Sequence, residues 1–166
     1  FFSSHGQDSL WQRKYEFGAF NNYDLRNSSL NGIGTFRLLN DGFDTLVGSK
    51  MNPKASKISK SIFTFATTYL SMLWSHEMGH YIRAEQIDGK FNIHNFGLPI
   101  PYTTADLPAD VSLTNEAIFV TGGFEVNYLN IRKIQAEFIS QNGLWNEDLG
   151  FAFANRLFYP IYTTLI

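Results

Sequence analysis

Three residues carry the clearest chemistry in this chain: His76, Glu77 and His80, in the run Trp74-Ser75-His76-Glu77-Met78-Gly79-His80. On a helix, residues four apart share a face about one turn apart, so both imidazoles can reach one tetrahedral Zn²⁺ at about 2.0–2.1 Å. Glu77 is directed beside such a metal, where its carboxylate can take a proton from a metal-activated water. His76 and His80 are the expected zinc ligands and Glu77 the expected general base. With 4 His and 7 Glu in 166 residues, random placement gives about 0.004 copies of this HExxH pattern.

Two imidazoles leave a zinc site incomplete. The extended pattern HExxHxxGxxH is absent, because Arg83 and Gln86 stand where its glycine and third histidine belong. A distant residue must supply the third ligand, and the acidic candidates are Glu125 and Glu116. Nine residues apart on one helix, they point about 180° away from each other, so only one can face the metal. Gly122-Gly123 favours Glu125. A glycine costs a helix interior about 1 kcal/mol relative to alanine, so a pair there implies a backbone that must approach something closely. The helix bearing Gly79 is the natural partner. His94 is a further candidate ligand, while Tyr102, His94 and Tyr128 are candidates to assist an oxyanion.

These residues need helices to position them. Ile62–Trp74 is almost wholly apolar or small, and the helix is expected to run to Ile87, stopped by Asp88-Gly89. Counted through His76, Glu77 and His80 to Ile82, the run reaches membrane-spanning length. A strand is expected over Phe91–Phe96, then a Pro-rich turn at Leu98–Pro101 and an acidic loop at Asp106–Asp110. A second helix is expected over Leu113–Ser140 with Ser112 or Thr114 as N-cap, and a third from Asn146 to the end. Before them, residues 9–50 read as short strands and turns, with Asn40-Asp41-Gly42 as a hairpin turn. Phe36, Leu39, Phe43, Leu46 and Val47 fit helical spacing equally well. Residues 48–60, with four lysines, read as a basic, solvated connector.

The composition suits one domain. At 166 residues, 44% hydrophobic and 17% charged, the chain can bury a core and is not disordered. A net charge of −2 offers no polycationic surface for nucleic acid, and the absence of Cys excludes disulfides and thiol chemistry. Sixteen Phe residues tilt the expectation toward a thick core or lipid contact. The start, Phe1-Phe2-Ser3-Ser4, reads as the tail of a signal peptide, and the apolar Tyr159–Ile166 stretch as one that continues beyond a fragment. The division expected is residues 1–60 as an N-terminal strand and connector segment, and 61–166 as a helical core.

Two families share motifs with this chain. Asn115-Glu116-Ala117-Ile118 resembles the stretch that carries the third ligand in thermolysin-like proteases. Over residues 61–130, the apolar helix ending in HExGH, the strand and Pro-rich loop, and the helix with a small-residue pair and an Asn are similar to site-2-protease-like intramembrane metalloproteases. That resemblance implies ligand, base and ligand roles for His76, Glu77 and His80. It also implies a substrate-holding role for Asn127 and a substrate-pairing strand at Phe91–Pro101, with Phe91 and Ile93 in contact. Gly123 departs from the proline of that family's pattern, and Glu125 adds a charge inside it.

Together these readings predict an α+β, mostly helical chain with a zincin-like metallopeptidase core, in which the HExxH helix packs on the Gly-Gly helix. The predicted function is zinc-dependent hydrolysis of peptide bonds in a peptide or protein substrate, by a membrane-associated or exported cell-envelope protein. The alternative is a non-catalytic subunit of a membrane or envelope complex with a structural zinc site. A zinc hydrolase of lipids is a further rival, and an apolar tunnel beside the metal would favour it.

Overall fold

Helix signals and small polar side chains determine how this chain is laid out. The computed structural model describes residues 13–19, 23–94, 102–141, 143 and 145–165. Helix α1 spans Leu25–Leu46, α2 Pro53–Glu85, α3 Leu113–Gln141 and α4 Asn146–Leu165, with a 3₁₀ turn at Gly48–Lys50. Between α2 and α3, strands β1 (Lys90–His94) and β2 (Tyr102–Asp106) pair antiparallel, with Ile93 opposite Thr103. The protein is therefore mostly helical with one small sheet, an α+β arrangement.

The N-terminal third departs from the strand expectation. Its described residues hold no strand, and 25–46 form a continuous helix. Asp24 caps it by accepting the Arg26 N–H, which satisfies one donor left free at a helix start. Asn40 does not turn a hairpin. Its amide bonds the Phe36 carbonyl one turn back and the Thr67 hydroxyl of α2, at 2.8 and 3.0 Å. The helical spacing of Phe36 and its neighbours prevailed because Phe36 is fully buried against other helices. The basic connector is likewise helix. Asn52 caps Pro53 at the first turn, so Lys54, Lys57 and Lys60 stand on the start of α2 and the 60/61 boundary falls inside it.

At its far end α2 stops as the sequence implies. Gln86 is the C-cap, Asp88 takes a left-handed φ of 57°, and the Gly89 N–H returns to the Ala84 carbonyl. Ser112 caps α3, its hydroxyl accepting the Asn115 N–H. The Leu98–Pro101 turn lies outside the described residues. Among those described, no helix is long and apolar enough to cross a membrane, which corrects the expectation of a span ending at Ile82.

All four helices share one core. Ile33 and Phe36 of α1, Met72 of α2, Ile134 of α3 and Phe151 of α4 cluster, and the Phe36 and Phe151 rings stack at 4.6 Å. A polar column runs through the same junction. Ser28 of α1 bonds the Ser75 carbonyl of α2, Asn130 of α3 reaches the Ser75 hydroxyl, and Asn130 also bonds Asn155 of α4. Each helix contributes one member, which fixes their register directly beneath His76.

Arg37 ties α1 to the C-terminal helices. Its guanidinium bonds Asp148 at 2.8 and 3.2 Å, Glu137 at 2.5 Å and the Lys14 carbonyl at 2.9 Å. Both Arg37 and Asp148 are buried. Arg37→Ala leaves buried Asp148 and Glu137 only their longer contacts to Arg13 and Lys133, both at 3.4 Å, and removing one partner from such a cluster costs about 3–5 kcal/mol. Urea denaturation is expected to show a loss of that size. A loss under 1 kcal/mol would mean the cluster is not what holds α1 to α3 and α4.

Candidate functional site

The α2–α3 crossing is closer than side chains allow. A Cβ on Gly79 would lie 2.3 Å from the Gly122 carbonyl oxygen, and a Cβ on Gly122 would lie 2.6 Å from that of Gly79. Gly123 faces the His76 ring, where a Cβ would fall 2.5 Å from both Cε1 and Nε2. The approach implied by the glycine pair is thus made, and its purpose is visible. It presses the backbone of α3 against the imidazoles of α2.

That contact orients both rings. The His80 Nδ1–H donates to the Phe119 carbonyl at 2.9 Å; a carbonyl can only accept, so the proton sits on Nδ1 and Nε2 keeps its lone pair. His76 is fully buried, with the Asn127 side-chain amide 3.2 Å from its Nδ1 and a further hydrogen bond to the Gly123 backbone. The Asn127 Oδ1 is buried without a hydrogen-bond partner.

The two Nε2 atoms lie 3.2 Å apart, within hydrogen-bond distance. Two nitrogens bound to one tetrahedral zinc at about 2.0–2.1 Å lie about 3.3 Å apart, so the spacing fits a shared metal. Burial drives the His76 pKa down to about 3, with His80 adding to the effect against the Gly123 hydrogen bond. A ring that stays neutral this far below ordinary pH is in the form a metal requires.

Glu77 sits beside the pair and opens onto a large groove. Burial raises its carboxyl pKa; the Thr103 hydroxyl, which donates to Oε2 at 2.5 Å, and the charge of His80 oppose that rise. Thr103 belongs to β2, so the hairpin carries the group that holds the candidate base. Nothing in the sequence separated Thr103 from Thr104, since only the strand register decides which of them faces α2.

The remaining expected residues are placed elsewhere. Glu125 is bound by Arg83 through both Nε, at 3.0 Å, and Nη2, and does not join the imidazoles. Glu116 and Tyr128 are exposed on α3. Among the described residues, no third His, Asp or Glu completes a metal-holding group. Asn127 is buried against His76, where it positions a ring and has no access to an extended substrate. Phe91 packs on the Tyr81 ring at 5.6 Å, and β1 has β2 as its partner along one edge. The side chains of Ile93, His94 and Tyr102 lie outside the described residues.

The groove is about 1270 Å³ and runs from Glu77 and His80, past Met72 and Phe158, to Lys57 and Lys60. Its walls are the apolar faces of α2, α3 and α4. No family model, curated protein or solved structure matches this chain. The two resemblances rest on their motifs alone.

Two outcomes follow from the seating of His76. Gly123→Ala puts a methyl into the ring's position, and zinc affinity is expected to fall at least about 10–100-fold while far-UV helicity is kept. Gly42→Ala, whose Cβ meets nothing within 4 Å, is the control; equal zinc affinity in the two variants would refute the seating. In the metal-free protein, His76 binds a proton in the unfolded chain from about pH 6.5 downward, but in the folded one only near 3. Unfolded chains therefore hold more protons in that window, and stability falls with decreasing pH by up to about 1.4 kcal/mol per unit. Urea midpoints between pH 4 and 7 should slope this way in the wild type and flatten in His76→Gln.

Proposed function

We propose that this chain is a zinc-dependent hydrolase that cleaves a carbonyl–nitrogen bond, the peptide bond being the simplest such substrate. The observation that carries the reading is the pair of imidazole Nε2 atoms 3.2 Å apart, beside a carboxylate that opens onto the groove. His76 and His80 would hold the metal, with the Phe119 carbonyl keeping His80 in the tautomer that binding needs and the Asn127 amide packed against Nδ1 of His76. Zinc, when bound, supplies an activated water and polarises the substrate carbonyl.

The chain's own groups do the rest. Glu77 accepts the proton that the attacking water loses, and its raised pKa brings it closer to the range useful for a base at neutral pH. The water oxygen bonds to the carbonyl carbon, the carbon–nitrogen bond breaks, and the proton passes from Glu77 to the leaving amine. Thr103 keeps the carboxylate in place through both transfers. Glu125, committed to Arg83, is not the third metal ligand.

One observation favours a second reading. Ile58, Ile62 and Phe65 of α2 and Phe153 of α4 are exposed apolar side chains, Phe65 at 77%. Such a surface suits a membrane-associated or envelope protein, or a subunit of a larger complex in which a two-histidine zinc site is structural.

Metal analysis and kinetics separate the two. Zinc is expected near one atom per chain, lost in His80→Ala and retained in Glu77→Gln. In an enzyme, Glu77→Gln lowers hydrolysis of a fluorogenic peptide library by about 10²–10⁴-fold. Stoichiometric zinc with no turnover in the wild type supports the non-catalytic subunit, and a folded wild type that binds no zinc sinks both.

A further inference from the structure

We propose that the stripe of α1 from Asn27 to Asp41 is a binding site for an extended peptide, filled in this chain by its own residues 13–19 and able to take the same segment from a second copy. Residues 13–19 belong to no helix or strand, and their contacts run antiparallel to α1. Asn27 donates to the Ala19 carbonyl at 2.9 Å. Asn31 accepts the Gly18 N–H at 2.9 Å and donates to the Gly18 carbonyl at 3.2 Å, the two-point pairing that a neighbouring strand residue gives in a sheet. At Gly34 the helix touches the segment's backbone, and a Cβ there would lie 2.7 Å from the Glu16 carbonyl oxygen. Arg37 donates to the Lys14 carbonyl at 2.9 Å, and Asp41 receives the Arg13 guanidinium and the Tyr15 hydroxyl. From Asn27 to Asp41 is 14 helical steps, about 21 Å at 1.5 Å each. From Ala19 to Arg13 is six steps, about 20 Å at 3.3 Å each. The lengths match, so helix positions three or four apart meet the segment in register along its whole course.

The segment sits there as a ligand does, outside the core. Only the Arg13 side chain is sunk into the protein, while Tyr15 and Phe17 keep 45% and 55% of their surface exposed. The receiving residues Asn31, Gly34 and Arg37 are the buried ones. Four of the hydrogen bonds go to the segment's main chain, and three positions add selectivity. Arg13 enters an acidic end formed by Asp41, Glu147 and Asp148, its guanidinium 4.9 Å over the Trp145 ring. Glu16 pairs with Lys133 of α3 at 2.5 Å. Gly18 is required, because a Cβ there would lie 2.5 Å from the Asn27 Cβ, an atom that cannot swing aside. The site therefore selects Arg-x-x-Glu-x-Gly, a sequence that every other copy of this chain carries at 13–18.

The test uses full-length Gly18→Val, whose own segment cannot seat while its α1 stripe is unaltered, and the end-blocked peptide of residues 13–19 as probe. Far-UV helicity is expected to be kept, since the segment belongs to no helix. Calorimetry is expected to show one peptide per chain, saturating below about 1 mM, the effective concentration that a short linker gives a tethered segment. The same peptide carrying Gly18→Val is expected to bind at least about tenfold more weakly, because the overlap with Asn27 forces a backbone shift. No saturation, or equal affinity for the two peptides, overturns the proposal. Mixing concentrated Gly18→Val with Gly34→Val, which blocks the stripe and keeps the segment, is expected to give a heterodimer in sedimentation. Monomers in that mixture, with the peptide bound, refute the second copy as its source. Should Gly18→Val fail to fold, hydrogen exchange in the wild type decides. The Gly18 N–H is expected to exchange at least about tenfold faster than that of Phe36, because the segment leaves without the core. Equal rates mean that it leaves only on global unfolding, and they overturn the site.

Discussion

The contact on which the site depends is the backbone crossing of α2 and α3 at Gly79, Gly122 and Gly123. Helix pairs ordinarily stand 8–10 Å apart because side chains hold them there. Here three positions without a Cβ let one helix touch the other, which places α3 carbonyls within reach of α2 imidazoles. Phe119 and Gly123, whose backbones bond His80 and His76, are four residues apart, as are the two histidines. Two helices with the same period thus meet in matched pairs, and one crossing orients both rings. The intrinsic cost of paired glycines, about 1 kcal/mol each, is the cost of that match.

The rest of the bundle holds this crossing in place. Ser75 precedes His76, and its hydroxyl and carbonyl receive α3 and α1 through Asn130 and Ser28. Small polar side chains serve here because they bond at short range and bulky apolar ones would separate the helices. Arg37 closes the opposite side, drawing Glu137 and Asp148 inward. The hairpin then sets only one further group, Thr103, on Glu77.

Much of this was legible in the residues. The HExxH spacing placed His76 and His80 on one helix face, where their Nε2 atoms lie 3.2 Å apart, and the glycine pair announced the close crossing. Helix ends followed from Asp88-Gly89 and Ser112. Other features were not legible, for physical reasons. Asn40-Asp41-Gly42 has hairpin chemistry, and only the buried Thr67 across the bundle makes Asn40 a helical residue. Glu125 carries the right charge near the right glycines, but Arg83, one turn beyond His80, claims it. Asn127 fits a substrate-holding pattern in sequence, and burial converts it into a support for His76.

The same helices that orient the imidazoles also determine what can reach them. An enzyme that recognises extended peptide presents a sheet edge beside its metal, because unpaired backbone groups are the cheapest partners for another backbone. Here β2 stands beside Glu77 through Thr103, and the rest of the approach to the histidines is lined by helices, whose backbone groups are already satisfied. Selectivity along such a channel comes from width and apolarity. Both are fixed by the spacing of α4 from α2, which Lys60–Glu147 sets at one end and Phe158 at the other. The crossing that orients the two imidazoles therefore also sets the helices that line the space in front of them.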